Sequence, residues 1–180
     1  MARFDGKVAL ITGAASAVEG QLMGFGGRAA WRMLREGGRV IVADIADEQG
    51  EQAVAQMRDA GLDATYVHLD VTCENDWSAA VETTVASYGR LDILINVPGA
   101  RDPESILDTD ANHWQMVMDV SSRGIFLGAK SAAPAIGEGG GGAIVNVASM
   151  AARYGGSYGA AYSASRSAII AFGRSAAVQF

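Results

Sequence analysis

The chain has 180 residues, 49% of them hydrophobic and 19% charged, which supplies one packed core and leaves no length for two ordinary domains. Its net charge of −6 disfavours nucleic acid or an anionic membrane as a partner, because either would repel it. One cysteine, Cys73, allows no internal disulfide, no apolar leader follows Met1, and no uninterrupted apolar run reaches the ~18 residues of a membrane span. The expectation is a single cytoplasmic domain over 1–180 whose partners are small molecules or protein.

Apolar runs of strand length alternate with segments of helical period. Val8 to Thr12 reads as a strand and Arg28 to Glu36 as a helix, then Arg39 to Ala43 and Asp47 to Ala60 repeat the pair. Strand Thr65 to Leu69 precedes helix Glu74 to Tyr88, and strand Leu91 to Asn96 precedes a long helix from about Ala111 to Ala135. Strand Ala143 to Val147 and a helix from about Ala160 to Phe180 complete the series. Strands this apolar are covered by helices on both faces, so the pattern predicts a doubly wound parallel sheet in three α/β/α layers. Gly37-Gly38, Gly61, Gly89 and Gly139 to Gly142 stand where helices hand over to strands, the last as a surface loop.

The first strand ends in Thr12-Gly13-Ala14-Ala15-Ser16. A small-residue turn from strand to helix lets backbone N–H groups approach a pyrophosphate at the helix N-terminus. The next GxG is Gly24-Phe25-Gly26, which leaves Ala17 to Met23 as an intervening stretch. Two arrangements are open: this stretch bulges outward and leaves Gly13, Gly24 and Gly26 in place, or it fills the phosphate site. Asp44 closes the second strand, where a carboxylate accepts from the adenosine ribose hydroxyls and repels a 2′-phosphate, favouring NAD over NADP. The alternative role for Asp44 is to cap the following helix.

Asn146-Val147-Ala148-Ser149 ends the fifth strand, and Tyr162 lies beyond twelve intervening residues. Tyr162 and Arg166 stand at i and i+4, on one helix face, so the cation can favour the phenolate.

These motifs resemble the short-chain dehydrogenase/reductase family, whose Rossmann-like domain carries TGxxxGxG, an NNAG motif, and a serine and tyrosine at this spacing. The resemblance implies cofactor contacts at Gly13, Ser16, Gly24, Phe25, Gly26, Asp44, the pair Asp70 and Val71, Asn96 and Gly99. It implies Tyr162 as general acid/base, Ser149 as holder of the substrate oxygen, and hydride transfer between NAD(H) and a hydroxyl or carbonyl substrate. Four departures accompany it. Ala17 to Met23 interrupt the glycine motif as an insertion of about seven residues, Val97 and Pro98 replace part of NNAG, Ser121 stands in place of the relay asparagine, and Arg166 stands in place of the lysine. Asn96 also reads as a structural residue at a strand end, Ser149 as a cap, and Tyr162 as a half-buried helix residue.

Two other readings remain open. Halohydrin dehalogenases resemble this family but use Ser, Tyr and Arg with a halide pocket, and a catalytically silent relative would be a binding or assembly protein. Family members continue with two further strands and a lid, so the chain reads as C-terminally incomplete, with its fifth strand covered by self-association through the long and last helices. His68 reads as a packed core residue, Trp31, Trp77 and Trp114 as packing anchors, Met116 and Met118 as gap fillers, and no metal site is expected.

Overall fold

The computed structural model describes residues 2–97, 99–100, 102, 105–154 and 159–180; Met1 and Pro98, named above, lie outside them. Among the described residues, five parallel strands form one sheet in the order β3-β2-β1-β4-β5, where β1 is Val8–Thr12, β2 Arg39–Asp44, β3 Ala64–His68, β4 Ile93–Asn96 and β5 Ala143–Asn146. The helices are α1 (Phe25–Arg35), α2 (Asp47–Asp59), α3 (Glu74–Tyr88), α4 (Ala111–Met118), α5 (Gly124–Glu138) and α6 (Ala160–Ala176). The doubly wound α/β arrangement expected from the alternating pattern is the one observed.

Side chains of a strand alternate between faces, and here both faces are apolar. Ala9 and Ile11 of β1 and Val40 and Val42 of β2 join Trp31, Leu34, Val54 and Met57 in the core beneath α1 and α2. Leu10, Ile41 and Ala43 point the other way, into a second core with Trp77, Leu94, Leu127 and Ile136. Register keeps the two sets apart: Leu10 lies opposite Ile41 on one side and Leu94 on the other. Full burial of a side chain such as Leu10 contributes about 2 kcal/mol.

The edge strands differ. β3 and β5 are only half covered, and His68 is exposed at the end of β3 instead of packed in the core. Its Nδ1 lies 2.7 Å from Asp47 Oδ1, because an edge strand has a neighbour on one side only. Val145 of β5 is likewise exposed, and so, in part, are Trp114 and Met116 of α4; the packing-anchor and gap-filler expectations fail for those two. Trp31 and Trp77 are buried, with their indole N–H groups donating to the carbonyls of Ala17 and Val71.

The long helix runs from Ala111 to Glu138 and is interrupted at Asp119–Arg123 by one wider, π-helical turn. The C-terminal ends of β1, β2, β4 and β5 share one edge. There the strand order reverses between β1 and β4, the position at which open α/β sheets bind ligands.

Candidate cofactor and catalytic site

Gly13 turns the chain out of β1 with φ of +63°, a left-handed conformation that favours glycine. Helix α1 then packs directly on that turn. A Cβ on Gly26 would lie 2.5 Å from the Gly13 carbonyl oxygen, and one on Gly27 would overlap the Ser16 carbonyl. The seven extra residues leave and return at a neck where the Gly24 N–H donates to Ser16 O at 3.3 Å and lies 3.2 Å from Ser16 Oγ. Between these points the excursion runs along α1 and α2. Trp31 Nε1 donates to Ala17 O at 2.6 Å, Val18 is buried in the core, the Glu19 N–H donates to Gln56 Oε1 at 2.8 Å, and Glu19 pairs with Arg35. The segment is thus pinned to α1 and α2 by Trp31, Gln56 and Arg35.

The α1 N-terminus that results has Gly24 at its cap, which supplies no capping side chain of its own, and no acidic residue in its first turn. Its first-turn amides and the positive end of the helix dipole therefore suit an anion. Ser16 and Phe25 are exposed beside it, Phe25 at 75%.

Asp44 ends β2 and ties it to the loop. Its Oδ2 accepts from the Ala15 N–H at 3.0 Å, and Oδ1 accepts from Ile45 N at 2.8 Å and Ala46 N at 3.2 Å. The cap position of α2 is Ala46, so Asp44 does not cap that helix. Asp70 shapes the next strand end, accepting from both the amide and the hydroxyl of Thr72 at 2.8 Å. Val71 packs against Gly124 of α5, where a Cβ would come within 3.0 Å of its side chain.

Asn96 is fully buried at the end of β4 and donates from Nδ2 to Asn146 Oδ1 at 2.8 Å, fastening the ends of β4 and β5 together. The neighbouring Val97 N–H donates to Thr12 Oγ1 at 3.1 Å. Gly99 is exposed beyond it and faces the Arg166 guanidinium, which a Cβ would overlap.

Ser149 caps a short 3₁₀ turn over Met150–Ala152, accepting from the Ala151 N–H at 3.2 Å, and its own hydroxyl proton has no acceptor among the described residues. That turn is fastened to α6, where Ser167 Oγ donates to Ala152 O at 3.1 Å. Tyr162 lies in the first turn of α6, and Arg166 follows one turn later, 5% exposed. The Arg166 guanidinium lies 4.5 Å from the centroid of the Tyr162 ring and donates to Val147 O at 3.1 Å. Burial pushes the guanidinium below its ordinary value, while the charge and hydrogen bond of Tyr162 work the other way. Ser121 sits in the π turn, which packs against α6, and its hydroxyl is fully buried with no hydrogen-bond partner among the described residues. π turns inside α-helices are frequent at functional sites.

Asp102 escaped the sequence reading. It is 2% exposed in the segment between β4 and α4, and its Oδ2 accepts from the Tyr162 N–H at 2.9 Å. One signal pointed to it: α6 starts at Gly159, which has no side chain to cap the helix, so its first-turn amides need an acceptor from elsewhere.

The sequence profile of the family described as short chain dehydrogenase matches residues 7–180. Cyclopentanol dehydrogenase of Comamonas testosteroni is 37% identical over 178 residues, 99% of this chain and 68% of the relative. The 3-alpha-(or 20-beta)-hydroxysteroid dehydrogenase of Mycobacterium tuberculosis is 38% identical over 148 residues, covering 82% of this chain and 53% of its own length. The crystal structure of a short chain dehydrogenase from Mycobacterium smegmatis superimposes with a TM-score of 0.91 at 28% identity, over 99% of this chain and 72% of that one. This chain therefore spans between about half and about three quarters of the length of these three proteins.

Proposed function

The chain belongs to the short-chain dehydrogenase family of nicotinamide-dependent oxidoreductases, and on that premise we propose that it interconverts a secondary alcohol and its ketone with NAD(H), using Tyr162 as general acid/base. The observation that carries the reading is Arg166, buried against the Tyr162 ring on one face of α6, because it fixes a positive charge beside the phenol that would exchange the alcohol proton.

The residues present fit the cofactor. The acid-free N-terminus of α1 beside Gly13 would take the pyrophosphate, with Ser16, Gly24, Phe25 and Gly26 around it. Asp44 would take the adenosine ribose through the capacity left on Oδ2, and its negative charge disfavours a 2′-phosphate, which makes NAD the preferred form. Asp70, Val71, Asn96 and Gly99 would line the remainder. When bound, the nicotinamide would supply the hydride acceptor for the alcohol and the hydride donor for the ketone.

The chain supplies the proton chemistry. In the oxidation direction the Tyr162 oxygen would take the hydroxyl proton, and Ser149 would keep its own proton and donate a hydrogen bond to the substrate oxygen. Ser121, buried with both donor and acceptor to spare, stands ready to join a proton relay behind Tyr162. The exposed apolar side chains Ile106, Leu107, Met150 and Tyr154 lie in the segments that follow β4 and β5. Together with relatives named for cyclopentanol and for a hydroxysteroid, they favour an apolar alcohol borne on a ring. Self-association through the long helix and α6 is supported by Phe126 and Phe172, which meet edge-on at 6.3 Å with Phe126 46% exposed.

Isothermal titration with NADH tests the reading. Binding, followed by turnover of cyclopentanol that disappears in Tyr162→Phe, is the expected outcome; no binding at millimolar NADH would sink it. A non-redox enzyme using Ser149, Tyr162 and Arg166, or a silent scaffold, has no use for the open α1 terminus, and the same titration separates them. A monodisperse monomer in light scattering would remove the self-association proposal alone.

A further inference from the structure

The buried carboxylate of Asp102 reaches across from another part of the chain to do the work of a helix cap. Gly159 occupies the cap position of α6 with φ of −61° and ψ of 167°, which any residue adopts. Its conformation does not require glycine. What requires it is space: a Cβ on Gly159 would overlap the carboxylate of Asp102. That carboxylate accepts from the N–H of Tyr162, the third residue of the helix, at 2.9 Å, the amide an N-cap side chain would normally serve. The backbone closes the same junction, the Gly159 N–H donating to Asp102 O at 2.7 Å. Oδ1 lies 3.1 Å from His113 Nε2, and the His113 amide is itself held by Asp110 Oδ1 at 2.8 Å, so Asp102 is braced against the start of α4.

The residue whose amide is held in this way is the one that bears the phenol. The segment that bears Asp102 also bears Gly99, which makes room for Arg166. One connection between β4 and α4 therefore contacts both the start of the Tyr162 turn and the cation beneath the ring. A negative charge at this helix end is also favoured by the helix dipole.

We propose that Asp102, braced by His113 and admitted by Gly159, is a positioning residue that holds the Tyr162 phenol in register with Ser149 and Arg166. The inference rests on Tyr162 being the acid/base. Displacements of about 1 Å in such a group cost up to about a hundredfold in rate.

The test compares Asp102→Ala, Asp102→Asn and Gly159→Ala with Tyr162→Phe in the full chain, with NAD and cyclopentanol as probes. Asp102→Ala and Gly159→Ala are expected to lower kcat by about tenfold or more while the KM for cyclopentanol and the Kd for NADH stay within about twofold, because position and not binding is lost. Asp102→Asn keeps an acceptor for the Tyr162 amide and should recover kcat to within about threefold. Gly159→Ala retains Asp102 and displaces it, so it reports on the same contact even if Asp102→Ala fails to fold. Loss of turnover in Tyr162→Phe together with wild-type kcat in Gly159→Ala, or in folded Asp102→Ala, would overturn this inference alone. Turnover that survives Tyr162→Phe, or is missing from the wild type, overturns the acid/base reading and this inference with it.

Discussion

Gly99 and Arg166 occupy complementary space: the absent side chain of one is the room taken by the guanidinium of the other. Arg166 is buried there between Val147 O and the Tyr162 ring, so a Cβ on Gly99 has to move it away from both. Gly99→Ala is expected to lower turnover about tenfold, and the loss should vanish when Arg166→Met is already present, since the displaced group is then gone. A double-mutant cycle on kcat measures the coupling; additive losses would mean that Gly99 acts on the cofactor and not through Arg166.

Arg166 carries a second expectation. If its task is to place a positive charge beside the phenol, a lysine serves and a neutral side chain does not. Arg166→Lys should keep kcat within about tenfold of wild type, and Arg166→Met should lower it by about a hundredfold, the ordinary range for an assisted acid/base group. Steady-state rates with cyclopentanol at saturating NAD check it. Equal losses in the two variants would show that the planar guanidinium, through its hold on Val147, matters more than its charge.

The strands, the layer order and the placing of Tyr162 and Arg166 together on α6 were legible because each depends on residues near one another in sequence: apolar runs for the strands, one helical turn for the tyrosine and arginine. The path of the Ala17 to Met23 excursion was not, since it is set by Trp31, Arg35 and Gln56 on two later helices. Asp102 was hidden for the same reason, lying 60 residues before the amide it holds. His68 was misread because its exposure follows from β3 being an edge strand, and strand order is not written in the apolar pattern. The helical period over Ala111 to Ala135 likewise gave no sign of the π turn that buries Ser121.

Gly128 of α5 marks where that helix lies tight on the sheet. A Cβ there would come within 2.6 Å of the Trp77 ring and 3.0 Å of Asn96 Oδ1, both in fully buried side chains. Neither can withdraw without disturbing the core or the bond between Asn96 and Asn146. Gly128→Ala is therefore expected to destabilise the fold by about 1–3 kcal/mol through overpacking, although alanine is the better helix former. Urea unfolding followed by tryptophan fluorescence would read it, and a stabilised variant would show that α5 can shift outward freely.

At the opposite end of the sheet, Asp92 anchors the chain by charge. It is 1% exposed, and it accepts from the Val8 N–H at 3.0 Å, from Lys7 Nζ at 2.9 Å and from Arg90 Nε at 2.8 Å. Burial by itself would raise the carboxyl, but the hydrogen bonds from Arg90, Lys7 and Val8 outweigh it and hold the group lowered from 3.8 to about 2. Because the folded value is the lower one, the contribution to stability is complete above the unfolded value and is lost as pH falls from near 3.8 through about 2. Asp92→Asn keeps the shape and removes the charge, so it should cost about 1–3 kcal/mol at neutral pH through weakened charge-assisted hydrogen bonds. The gap between wild type and variant should then narrow steadily in unfolding curves taken at pH 6, pH 3 and pH 2, since protonation makes the wild type resemble the variant. A gap that stays constant down to pH 2 would show that Asp92 contributes by shape and packing, not by its charge.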